Sequence, residues 1–294
     1  VEDVFARSDS LGGDHAIGDR LDLRVAFSEG WDNGFAAMVL DDPVYRDSFS
    51  GFDRDFRRDV RDGEPSAPGW YSEASVHRIL WTAFDDDPTT GGLNLGFGPI
   101  FSALTSPRHR QTDAFASIYT FIDALNVASP GTARAVNALA AQEQIFGRDP
   151  FGADETNEPF ADLPLLPVYT PFDFSSTTPV TLCTAARDNK VYNKAGNRRF
   201  LLLRVPQALV ATISVLGPAA PAAPADPDIL LWRRGVLIDA AETENSTSEQ
   251  LQRLLEPGTY IAEIYDISHV QADLPGGPRG DTCMTVSVSG VSAS

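Results

Sequence analysis

The chain has 294 residues, 43% hydrophobic and 10% aromatic, an ordinary composition for a folded protein and a length sufficient for two domains. Forty-one acidic residues against 23 basic ones leave a formal charge of −18. A surplus of that sign argues against nucleic-acid partners, for which a basic footprint supplies most of the affinity, and against docking on anionic membranes. Only Lys190 and Lys194 are lysines, so arginine carries nearly all the positive charge. An acidic, lysine-poor surface suits a protein kept soluble outside the cell or in salt, and a GC-rich genome produces the same bias. No stretch approaches the ~18 apolar residues of a membrane span, and no signal peptide is visible. A sequence that opens on Val1 rather than Met is expected to be a processed product or a fragment.

Val1, Val4 and Phe5 share one helical face, as though the chain opens inside a helix. The next helix predicted covers residues 24–40, where Val25, Phe27, Trp31, Phe35, Met38 and Val39 give a broad apolar surface. Pro43 restricts the residue before it and ends that run. Residues 47–69, rich in Arg, Asp, Gly and Pro, read as an exposed loop. Ser72 is the N-cap of a helix to residue 84, with Val76, Ile79, Leu80 and Ala83 at helical spacing, and Asp85-Asp86-Asp87-Pro88 stops it. A glycine-rich connection leads to a short helix at 100–104. Helices over 112–127 and 132–146 follow, joined by a Ser129-Pro130-Gly131 turn that favours antiparallel neighbours.

Six prolines between Pro150 and Pro179 break any helical period, and residues 161–179 read as a linker. Beyond it the period switches to two. Strands are predicted at 200–205, 211–216, 228–232, 259–265 and 285–288, punctuated by Gly235, Pro257-Gly258 and Pro275-Gly276-Gly277. The alanine- and proline-rich residues 218–227 read as a solvent loop. The expected fold is therefore α + β in two domains: a mainly helical lobe (1–160), the linker, and an antiparallel β-sandwich (180–294). Cys183 and Cys283 each sit in or beside a strand-like run; two free thiols is one reading, and a disulfide is the better one in an exported protein.

The strong sequence signals of chemistry are missing. There is no phosphate-binding glycine loop, dinucleotide fingerprint, Gly-x-Ser-x-Gly elbow or Cys-x-x-Cys pair. His15, His77, His109 and His269 are scattered, whereas a self-contained catalytic zinc site takes three protein ligands. What stands out is Phe27-Ser28-Glu29-Gly30-Trp31-Asp32-Asn33, where a carboxylate interrupts an apolar helical surface with Asn33 one turn on. Glu29 either turns out to solvent, caps a neighbouring helix, or is paired or bound to a metal. His77, between Val76 and Arg78, reads as a packed or solvated helix residue, and His15, in Gly-Gly-Asp-His, as a loop residue rather than a ligand. Asp85-Asp86-Asp87 and the Asp226/Asp228 pair are solvated turn residues or calcium ligands, so calcium is a second candidate cofactor.

Ala26-Phe27-Ser28-Glu29-Gly30-Trp31 with Asn33 resembles the third-ligand helix of thermolysin-like and fungalysin-like zinc metallopeptidases. In that family a His-Glu-x-x-His helix supplies two zinc ligands and the general base, and a glutamate some tens of residues later supplies the third ligand. The resemblance implies zinc on Glu29, Asn33 as a partner orienting a ligating histidine, and His77, in the run Gly69-Trp70-Tyr71-Ser72 to Val76-His77, stabilising the transition state. The second half resembles the bacterial pre-peptidase C-terminal domain, through Asp226-Pro227-Asp228-Ile229-Leu230-Leu231-Trp232, Leu255-Glu256-Pro257-Gly258-Thr259-Tyr260-Ile261 and the strand after Cys283. His-Glu-x-x-His itself is absent from these residues.

Two functions follow as expectations. The first is the later part of a secreted bacterial zinc metalloendopeptidase-like protein, inactive alone, whose partners are a segment of the same precursor carrying His-Glu-x-x-His and a protein or peptide substrate. The second is a non-catalytic secreted scaffold or binding protein. A carbohydrate-binding sandwich with a helical companion rests on fold analogy alone.

Overall fold

The computed structural model describes residues 7–48, 55–63, 66–87, 89, 91–156, 163–175, 178–218, 224–271, 273–274 and 277–292. The opening residues Val1, Val4 and Phe5 and half of the alanine- and proline-rich run lie outside the described residues. The fold is α+β, with helices in the first part and mostly antiparallel strands in the second. Two compact units divide between Phe151 and Gly152.

In the first unit, α1 (Leu23–Leu40) begins at Asp22, whose carboxylate accepts from the Arg24 N–H, and ends at Asp41 in the left-handed conformation. Of its apolar stripe, Val25, Phe27, Trp31 and Met38 are buried, while Phe35 and Val39 remain exposed. α2 (Glu73–Phe84) starts as predicted, with the Ser72 hydroxyl accepting from the Ser75 N–H at 3.2 Å. These two helices pack through glycine. A Cβ on Gly30 would lie 2.5 Å from Val76 Cβ and 2.7 Å from the Glu73 carbonyl oxygen; one on Gly34 would lie 3.0 Å from Leu80 Cδ1. The backbones approach this closely only because both side chains are missing.

Between them lies a hairpin, β1 (Val44–Ser48) and β2 (Asp55–Asp59), in register from Val44↔Asp59 to Ser48↔Asp55, which runs into the stretch 47–69 expected as a loop. Its charged residues hide the strand signal, since an edge-on hairpin needs no alternating apolar face. Then come α3 (Phe97–Thr105), α4 (Pro107–Arg110), α5 (Ile118–Ala128) and α6 (Ala133–Gln142). α5 starts later than its apolar pattern suggests. The Thr112 and Ala114 carbonyls are taken by the Arg7 guanidinium, at 2.8 and 2.6 Å, rather than by a helical turn. Phe121 on α5 meets Phe27 and Trp31, with ring centroids 5.9 and 6.1 Å apart, and so packs α5 against α1.

The second unit is a two-sheet sandwich. One sheet has the order β3 (Tyr169–Phe172), β5 (Arg198–Val205), β10 (Gly258–Asp266), β7 (Pro227–Arg233) and β8 (Val236–Ala241). The other runs β4 (Val180–Thr184), β11 (Thr282–Ser292), β6 (Leu209–Leu216) and β9 (Ser248–Leu255). Both contribute to one core: Leu201, Leu203, Ile229 and Ile264 from the first, Leu182, Ile213, Val286 and Leu251 from the second. β6 and β11 alternate buried and exposed residues, the two-residue period the sequence displays. β3 lies within the stretch expected as a linker and pairs parallel to β5, the exception to an otherwise antiparallel arrangement. Cys183 faces Cys283 directly across β4 and β11, and the two form a disulfide.

Candidate metal centre

Glu29 projects from the middle of α1, next to the glycine that admits α2, and Glu73 is the first residue of α2. The close crossing therefore sets two carboxylates side by side. A first-turn glutamate is favoured by the helix dipole, which offsets part of the cost of burying Glu73 to 2% exposure. The loop before α1 adds an imidazole: His15 Nε2 stands 3.4 Å from Glu29 Oε2 and 3.3 Å from Glu73 Oε2. His15 Nδ1 lies 3.2 Å from the Gly13 carbonyl, and Gly13 has φ 106°, a left-handed turn that glycine adopts without strain. The base of the loop is tied down by the Arg7–Asp9 pair, buried against the segment that precedes α5, and by the Leu21 N–H donating to the Tyr71 carbonyl.

Electrostatics at the crossing reflects crowded acid. Burial pushes the Glu29 carboxyl up, against the pull of His15. Asp32, one turn along, is raised to about 6, first by burial and then by the Glu29 charge. The Glu73 carboxylate raises His15 to about 9, against a smaller opposing effect of burial. In a side chain only 3% exposed, Glu73 Oε1 is buried and has no hydrogen-bond partner among the described residues. His15, Glu29 and Glu73 form a group of metal-ligating residues whose donor atoms all lie within 4.8 Å of one another, the only such group among the described residues. One imidazole nitrogen with carboxylate oxygens suits a borderline divalent ion such as zinc.

The residues singled out from sequence fare differently. Glu29 is in the centre. Asn33 is half-buried on the following turn and makes no side-chain hydrogen bond among the described residues. His77 is not brought to the cluster: it is wholly buried, its Nε2 lying 3.1 Å from the Asp62 carbonyl. His15, expected to be a loop residue and no ligand, is in the loop and in the cluster. Glu73 carries no signal of its own in the sequence, because a glutamate after an N-cap serine has an ordinary helix-start explanation. The pair Gly30/Gly34, four apart on one helix, is the available sign of a close crossing. Asp87 acts as a turn residue, accepting from the Thr89 N–H. The Asp226/Asp228 pair does not: Asp226 accepts from the distant Asn245 and Ser246 N–H groups, and Asp228 is buried in β7, where burial pushes its carboxyl up to about 8. No three-donor group converges at either run among the described residues.

Burial holds His77 neutral, with its pKa lowered to about 4. The unfolded chain binds that proton near pH 6.5, so the folded state's advantage is full above pH 6.5 and is lost as pH falls toward 4. The expected contribution to this acid limb is on the order of 3 kcal/mol. Chemical denaturation at pH 7 and pH 4.5 should therefore show a smaller loss for His77→Gln than for the wild type. An equal loss in both would place the acid sensitivity elsewhere.

No protein-family model and no curated protein sequence matches the chain. Among solved structures it is similar to the pre-peptidase C-terminal domain of a collagenase from Bacillus anthracis, at 15% identity over 38% of this chain and 89% of that one, with a TM-score of 0.26. It is similar to PliG of Aeromonas hydrophila, a periplasmic inhibitor of g-type lysozyme, at 14% identity over 41% of this chain and 94% of the other, with the same TM-score. A β-glucosidase from Paenibacillus barengoltzii shares 14% identity over 64% of this chain and 20% of its own length, with a TM-score of 0.20. Likenesses this distant carry no argument about activity. Among the described residues no helix is long and apolar enough to cross a membrane.

Proposed function

We propose that the helical unit is a zinc-metallopeptidase-like lobe in which Glu29 is a metal ligand, part of a secreted metalloendopeptidase-like protein whose catalytic histidines come from a His-Glu-x-x-His segment of the same precursor. The observation that carries this reading is the position of Glu29. Its carboxylate is held half-buried at a helix crossing beside a second carboxylate and an imidazole, instead of turning out to solvent. The disulfide is compatible with an exported protein, where such bonds persist. Bound zinc supplies Lewis-acid polarisation of a carbonyl and an acidified water. This chain's own residues hold and orient it: Glu29 as donor, and the close α1–α2 packing as the support that fixes Glu29 in place. The chain without the His-Glu-x-x-His segment is inactive.

The test is hydrolysis of a quenched fluorescent peptide by the protein isolated from its natural host, with intact masses measured under denaturing conditions. Expected are a polypeptide stretch carrying His-Glu-x-x-His in the active species, chelator-sensitive hydrolysis, and loss of that hydrolysis in Glu29→Gln. Hydrolysis unaffected by Glu29→Gln, or none in a species that carries the motif, overturns the reading.

A further inference from the structure

The geometry points to a cation site that is complete within this chain, formed by His15, Glu29 and Glu73 and selective for zinc or a first-row divalent ion like it. It shares Glu29 with the peptidase reading but does not rest on it, because it takes no ligand from another segment and implies no hydrolysis.

Spacing is the first support. A tetrahedral ion with bonds of about 2.0–2.1 Å holds its ligand atoms about 3.3–3.4 Å apart. The His15 Nε2 distances to the two carboxylates are 3.4 and 3.3 Å. A charge-assisted hydrogen bond from a protonated imidazole closes to about 2.7–2.9 Å, and neither contact does. The pocket is spaced for an ion between the groups better than for a proton shared by them.

Glu73 gives independent support. Its side chain is 3% exposed and its Oε1 is buried without a partner among the described residues. An unsatisfied buried carboxylate oxygen is expensive, and a cation against that carboxylate removes the expense. His15 faces the other oxygen, Oε2, and leaves Oε1 unmet among the described residues.

His15 is also oriented as a ligand. With Nδ1–H donating to the Gly13 carbonyl, Nε2 is the nitrogen that faces Glu29 and Glu73, and an ion bound there displaces its proton and takes the lone pair. Ligating histidines are ordinarily fixed in this way, by a second hydrogen bond to backbone or carboxylate. A neutral imidazole with two carboxylates balances a doubly charged ion. The side chains of His15 and Glu29 are 22% and 30% exposed, so solvent reaches the site on one side, as an open coordination position requires. Calcium, which takes six to eight oxygens, does not match a three-donor set containing nitrogen.

The probe is zinc ion alone, added to the full chain. Equilibrium dialysis at pH 7.5 with metal counted by mass spectrometry is expected to give about one tightly held zinc per chain. Glu73→Gln and His15→Ala should each weaken binding by at least the roughly 10–100-fold that losing an outer-shell partner costs. Asp86→Asn, in the exposed acidic run, should leave affinity unchanged. Zinc should raise the melting temperature of the wild type and not that of His15→Ala, whose substitution lies in a loop and leaves the helix crossing intact. Wild-type protein that binds no zinc, or wild-type affinity in either His15→Ala or Glu73→Gln, overturns the site. Zinc binding lost in these variants, with no peptidase activity from any form of the protein, keeps the site and removes the peptidase reading.

Discussion

Replacing Cys183 and Cys283 together by alanine is expected to lower the stability of the sandwich by about 4–5 kcal/mol. The bond closes a loop of 100 residues, and in the chain-entropy account a loop of that size restricts the unfolded chain strongly. The folded state depends on it too. Among the described residues β4 is an edge strand that pairs with β11 alone, and Cys183↔Cys283 is one rung of that pairing. Without the bond, β4 is held by a short ladder, by Leu182 in the core, by the Arg199 guanidinium donating to the Cys183 carbonyl and by the contact of His269 Nδ1 with the Thr184 hydroxyl. Cys283 is on the exposed face of β11, so a thiol reductant reaches it and the wild type should follow the variant once reduced. Guanidinium denaturation with and without reductant checks this. A midpoint that moves in neither case would mean that the two sheets already fix β4 through packing.

Gly30→Ala is expected to destabilise the helical unit by about 1–3 kcal/mol, the usual range for overpacking. The sign is informative, because helix propensity alone predicts a gain of up to about 1 kcal/mol for the same change. Propensity loses because the new Cβ would meet Val76 Cβ at 2.5 Å and the Glu73 carbonyl at 2.7 Å, atoms that cannot rotate aside. The α1–α2 crossing must open. Gly34→Ala meets Leu80 Cδ1 at 3.0 Å, the end of a flexible side chain, and Leu80 Cβ at 3.2 Å, a milder approach than at Gly30, and should cost less. Thermal melts of the two variants rank them. The same experiment bears on the metal centre, because a wider crossing separates Glu29 from Glu73: zinc affinity should fall in Gly30→Ala and be nearly kept in Gly34→Ala. Equal melting temperatures for Gly30→Ala and the wild type would show that the crossing yields without strain.

Much of the architecture is legible in the order of residues alone. The apolar spacing of Val76, Ile79 and Leu80 behind the Ser72 cap marks α2 to within a residue, because caps and periodicity are local properties. The alternation in β6 and β11 marks a half-buried sheet for the same reason. Where the pattern misleads, the cause is nonlocal. The β1–β2 hairpin is polar, β3 hides among prolines, and the start of α5 is set by Arg7, far away in the chain. None of these leaves a periodic trace.

The candidate centre divides along the same line. Glu29 is visible because a carboxylate in an apolar helical stripe conflicts with its neighbours, and such conflicts gather at functional sites. His15 and Glu73 raise no conflict where they stand: a histidine in a glycine loop and a glutamate opening a helix are each locally ordinary. Only the close approach of α1 and α2, permitted by Gly30 and Gly34, joins these two ordinary positions to Glu29 in one acidic pocket with a buried oxygen left over. The α+β organisation, the acid balance and the one glutamate out of place follow from composition and period, which any stretch of chain carries with it. Which side chains meet that glutamate is a matter of tertiary packing, because ligand convergence depends on ångström distances between elements that no local pattern encodes.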